Sequence, residues 1–164
     1  MQAFDNLFDH ISKTIQAPPT ATITKYPRLA SRGFRDVDSS GGARGDLEEH
    51  LGQDRIFEIQ IESISVTPLL LGGPAPSAYG LTFPIRVRYE GQGPHRKRET
   101  VQQITEDQTA IVDALHRSLW SSISGLASLQ ARPGNISRFV MSDDAGNTFE
   151  GYLGSVNVTA SIDI

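Results

Sequence analysis

Leu81, Phe83, Ile85, Val87 and Tyr89 alternate without a break with Thr82, Pro84, Arg86, Arg88 and Glu90. Successive side chains of a β-strand point to opposite faces, so this stretch has one apolar and one polar face and requires a layer to cover the first. The same pattern returns at the C-terminal end. There Tyr152, Val156, Val158, Ala160, Ile162 and Ile164 share one face, and Ser155, Asn157, Thr159, Ser161 and Asp163 the other. A third run places Phe57, Ile59 and Ile61 opposite Glu58, Gln60 and Glu62, and then slips phase at Ser63, which predicts a bulge or bend there. Pro84 cannot donate to a ladder, which predicts a sheet edge at that point.

Two helical patterns can cover such a sheet. Phe4, Leu7, Phe8, Ile11 and Ile15 follow helical spacing over residues 3–16, and Pro18 and Pro19 end the run. His10 lies off this stripe among polar neighbours and reads as a solvated imidazole without a role. A second helix is expected from Thr105, as N-cap, with Ile111, Leu115 and Leu119 at i+4 spacing and Trp120 and Ile123 prolonging the stripe. The segment QARPGNIS reads as a break, and SRFVMSDDAGNTFEGYLG as two strands joined by a tight turn. A short strand is expected in 20–29. The segments 30–54 and 91–104 read as extended loops, because Gly, Ser and charge dominate them. The pattern predicts one domain, residues 1–164, of α+β class: a mainly antiparallel sheet packed against two amphipathic helices, with long flexible loops.

The chain of 164 residues contains no cysteine, so neither a disulfide nor a thiolate metal site is available. It has neither a signal-like N-terminus nor an apolar run of membrane-spanning length, and reads as soluble and unsecreted. The histidines at 10, 50, 95 and 116 have no metal-ligand spacing, and there is no G-x-S-x-G elbow. Asp143 and Asp144 lack the alternating ligands of a calcium loop and suit a turn. No catalytic, metal or cofactor residues are assigned, and the chain is not expected to be an enzyme.

A formal net charge of −4 disfavours broad wrapping of nucleic acid, although five of the fifteen Lys and Arg residues lie between 86 and 98. If the long strands pair antiparallel, Glu58 and Glu62 answer Arg86 and Arg88 on the polar face. His95, Arg96, Lys97 and Arg98 are then left as an exposed basic loop. The candidate interface residues are the loop cations Arg32, Arg35, Arg44, Arg96, Lys97 and Arg98. A nucleic-acid-associated accessory domain using 95–98 is the alternative reading.

The element order resembles that of the tail terminator proteins of long-tailed bacteriophages. The resemblance rests on the opening helix MQAFDNLFDHISKTI, on YGLTFPIRVRYE shortly before TEDQTAIVDALHRSL, and on the closing GYLGSVNVTASIDI. It implies a structural virion protein, assembled in the host cytoplasm, that forms a hexameric ring in the tail or neck. That ring would cap the tail tube protein, end its polymerisation and join the tail to the head connector, with DNA passing through the lumen unread. No cofactor and no membrane are implied.

Overall fold

The computed structural model describes residues 2–16, 35–36, 55–59, 62–68, 77–90, 97–118 and 123–163. Two helices, α1 (Gln2–Gln16) and α2 (Lys97–Arg117), accompany six strands. The strands are β1 (Arg35–Asp36), β2 (Ile56–Ile59), β3 (Ser63–Pro68), β4 (Ser77–Glu90), β5 (Leu126–Ser142) and β6 (Thr148–Asp163). They form one sheet in the order β1-β2-β4-β6-β5, with β3 also paired to β4. Every pairing is antiparallel except the short β1–β2 contact. The fold is α+β, with both helices lying against a mainly antiparallel sheet. The strand expected in 20–29 and most of the 30–54 segment lie outside the described residues, but Arg35–Asp36 within that segment is a strand, not a loop.

The core follows the alternation. Leu81, Phe83, Ile85, Val87 and Tyr89 of β4 and Val156, Val158, Ala160 and Ile162 of β6 are buried, together with Leu7, Ile11 and Ile15 of α1. Phe4 and Phe8 of α1 meet Tyr79 and Phe83 of β4 edge to face, at centroid separations of 5.6 and 5.2 Å. Asp5 in the first turn of α1 and Lys13 in its last suit the helix dipole.

The phase slip at Ser63 is a register slip. From Ile59↔Ile85 to Ser63↔Thr82, four steps along the β2–β3 side match three along β4, the signature of a bulge. This also corrects the expected position of Pro84. β4 lies inside the sheet, between β2 and β3 on one side and β6 on the other, so Pro84 is not on an edge strand. Arg88 O accepts from Arg55 N, and Thr82 O from Glu62 N, so the even residues of β4 direct their backbone groups toward β2 and β3. Pro84 therefore directs its nitrogen, which carries no hydrogen, toward the β2–β3 side, at a level where the facing residues lie outside the described ones.

The second helix departs most from expectation. It begins at Lys97, not Thr105, and ends at Arg117, so 97–104 is helix where an extended loop was expected. Its buried positions are Thr100, Gln103, Ile104, Asp107, Gln108, Ile111 and Leu115. They keep helical spacing but are polar in the first half, so a search for an apolar stripe starts too late. Ile123 is buried outside the helix, before β5. β5 in turn runs straight through QARPGNIS, with a register shift between Pro133 and Ile136 in place of the expected break.

Candidate assembly surface

The polar face of α2 is held by a buried ion pair. Arg55 Nη2 donates to Asp107 Oδ1 at 2.8 Å, and Gln103 Nε2 donates to the same oxygen at 2.8 Å. Burial pushes the Asp107 carboxyl above its ordinary 3.8, while the Arg55 guanidinium, the Gln103 amide and the Tyr89 hydroxyl pull it back down. Arg55 adopts a left-handed backbone, φ 57°, and its own N–H donates to Arg88 O at 2.7 Å. A non-glycine residue in this region costs on the order of 1 kcal/mol and persists where its surroundings over-determine it. Gln108 Nε2 then donates to Gly134 O and Ser155 O, at 3.1 and 2.8 Å, clamping α2 onto the irregular part of the β5–β6 ladder. This network fixes where the first turn of α2, with its cations, meets the sheet.

Lys97 starts α2 and reaches Glu150 of β6 at 3.4 Å, while Arg138 Nε of β5 donates to the same carboxylate oxygen at 2.6 Å. The Arg138 hydrogen bond, with Lys97 adding to it, holds the Glu150 carboxyl below its ordinary value; Glu150 in turn raises Arg138. Arg98, the next residue of α2, is exposed. The sequence could not pair Lys97 with Arg138 and Glu150, because they come together only through the α2–sheet packing.

Of the other candidate cations, Arg35 lies in β1 at the opposite side of the sheet, and Arg32, Arg44 and Arg96 lie outside the described residues. Arg86 and Glu58 are opposite one another and form the expected ion pair, with Arg86 Nε donating at 2.8 Å. Arg88 does not meet Glu62. It is buried, 3.5 Å from Glu90 Oε1, with its guanidinium 5.4 Å from the Phe139 ring centroid. Glu62 lies at the bulge, where its N–H donates to Thr82 O and Ser63 stands opposite the same residue. His10 also departs from expectation, since its Nε2 lies 2.6 Å from Ser118 Oγ and links α1 to the end of α2.

Among the described residues the β5–β6 hairpin extends past β4, whose last pair is Glu90↔Gly151, while the hairpin continues through Val140↔Glu150 to Ser142↔Thr148. Its turn is built by Asp143: Oδ1 accepts from the N–H groups of Ala145 and Asn147, at 3.0 and 2.8 Å, and Oδ2 from Asn147 Nδ2 at 2.9 Å. These bonds hold the Asp143 carboxyl below its ordinary range. Val140 and Phe149, on this overhang, are exposed apolar residues. Among the described residues β5 pairs with β6 alone, and of its seventeen residues only Ala131 is buried. What the molecule presents here is a long strand edge, an apolar hairpin end and a cationic patch at its base. Such surfaces are suited to protein contact.

No protein-family model matches the chain, and no match was found among curated proteins. None of the described helices is long and apolar enough to cross a membrane.

Proposed function

We propose that the protein is a structural virion component of a bacteriophage tail or neck. In this reading it forms a ring that caps the tail tube, ends its polymerisation and joins the tail to the head connector. The element order gives the family resemblance, and the one observation that carries the assembly role is the edge of β5, seventeen residues long and paired on one side only among the described residues. A long exposed edge is a template for adding another strand, and sheet extension between subunits is a common route to assembly. Val140 and Phe149 add exposed apolar side chains at the hairpin end, one on each face of the sheet. Candidate partners are further copies of the chain, the tail tube protein and a connector protein, with DNA threading the centre without sequence contact.

The test is direct imaging of the purified protein together with its mass in solution. Rings with a central hole are expected. A monodisperse monomer at high concentration that also fails to bind tail-tube subunits contradicts the proposal. A nucleic-acid role for residues 95–98 is less well supported, since Lys97 is engaged by Glu150 instead of standing in a free basic cluster.

A further inference from the structure

The edge of β5 is not uniform along its length. Even residues of β4 face β2 and β3, so odd residues such as Val87 face β6; their partners, Gly154 and the other even residues of β6, face β4 in return. The odd residues of β6 therefore face β5, as Asp163 N donating to Gly125 O at 2.7 Å bears out. In the first half of β5, Ala131 and Pro133 turn their backbone outward. Both are closed to a new strand. Ala131 N–H donates to His116 Nε2 of α2 at 3.1 Å, Pro133 has no N–H, and the register shift follows at once. In the second half Ser137, opposite Leu153, faces β6, and Ile136, Arg138, Val140 and Ser142 face outward. Among the described residues this distal half carries no such guard.

Among the described residues a matching edge exists on the other side of the sheet, where β3 pairs with β4 alone. In β3, Ser63 and Ser65 face Thr82 and Gly80 of β4, so Ile64 and Val66 turn their backbone away from it. Of the four large exposed apolar residues among those described, Ile64 sits on this edge and Val140 on the open part of β5. Both side chains lie on the helix-bearing face, since Ile64 is opposite buried Leu81 and Arg138, two residues before Val140, is opposite buried Tyr152. β3 and β6 are each antiparallel to β4, and β5 is antiparallel to β6, so β5 and β3 run in opposite senses. A second copy in the same orientation can therefore extend the sheet antiparallel.

We propose that residues 136–142 of one copy add to β3 of the next, with Val140 beside Ile64. The pairing is head to tail, each copy using two different edges, the contact type that forms a ring when the rotation it imposes closes and an open helix when it does not. Symmetric β5–β5 pairing would instead stop at two copies and leave Ile64 uncovered. His116 and Pro133 act as guards that disfavour pairing at Ala131 and Pro133, toward the first half of the strand. The proposal rests on the ring reading above and specifies its subunit contact.

The chain has no cysteine, so introduced ones report without background. Directly opposed residues of an antiparallel pair have Cα atoms about 4.5–5.5 Å apart, within reach of a disulfide. A chain carrying both Ile64→Cys and Val140→Cys should form a covalent ladder on oxidation, a mixture of the two single variants should give dimers, and each single variant alone should stay monomeric on a non-reducing gel. Val140→Asp, a change at an exposed site that leaves the fold intact by circular dichroism, should raise the concentration needed for assembly by about tenfold or more, a loss of about 1.4 kcal/mol or more. Cross-linking by Val140→Cys alone overturns the head-to-tail contact in favour of a symmetric one. Rings in micrographs without a disulfide between the two substituted positions, or undiminished assembly of Val140→Asp, overturn the contact and leave the ring reading standing. Absence of rings altogether removes both.

Discussion

At the scale of single residues, the buried Arg55–Asp107 pair and the Asp143 turn make distinct claims. Arg55 and Asp107 are 2% and 5% exposed, so removing one partner leaves the other's polar group buried without its main counterpart. Arg55→Met should destabilise the fold by about 3–5 kcal/mol, and Arg55→Met with Asp107→Leu by clearly less, because the paired desolvation cost disappears too. Urea unfolding of the two variants checks this, and equal losses would contradict it. Asp143 is different, being at the surface. Its carboxyl is held below 3.8 mainly by Asn147, so its charged form favours the folded turn. The contribution is complete above the unfolded value of 3.8 and is lost as pH falls through the lower folded value. Amide exchange at Ala145 and Asn147 should accelerate as pH drops through that window once intrinsic exchange is corrected, and Asp143→Ala should remove the pH step.

At the scale of elements, legibility followed periodicity. α1, β4 and β6 were readable because their buried positions are apolar and regular; Leu7, Ile11, Phe83 and Val158 all lie in the core as the sequence implied. The bulge after Ile59 was readable from its phase slip. The first turns of α2 were not, because Thr100, Gln103 and Asp107 bury polar groups whose partners, such as Arg55, are distant in sequence. β5 was half hidden for a related reason: its Pro133 and Gly134 look like loop punctuation but sit in an irregularity of a continuous strand. Nor could the sequence reveal that Gly151 makes room for Phe139, where an added Cβ would come 2.8 Å from Tyr89 O as well as against the ring. β6 lies between β4 and β5, and its last residues are tied to Gly125. Removing residues 158–164 should therefore strip both neighbours of their shared partner and lower the melting temperature sharply. An unchanged melting temperature would contradict this position.

At the scale of the whole molecule, the described residues give the sheet unlike edges at β3 and β5, the latter guarded at Ala131 and Pro133, and a hairpin end carrying exposed Val140 and Phe149. Among the described residues the candidate cations do not form one basic surface. Lys97 is joined to Glu150 beside Arg138, while Arg35 lies across the sheet in β1. This distribution suits contacts with neighbouring protein better than a continuous track for nucleic acid. The central claim is that the chain builds a ring through unlike edges. Electron micrographs of the purified full chain, with its mass measured in the same solution, test it most directly. Closed rings with a central hole, at a mass that is a whole multiple of the chain, are expected; a single monomeric species at high concentration that does not bind tail-tube subunits would contradict the ring.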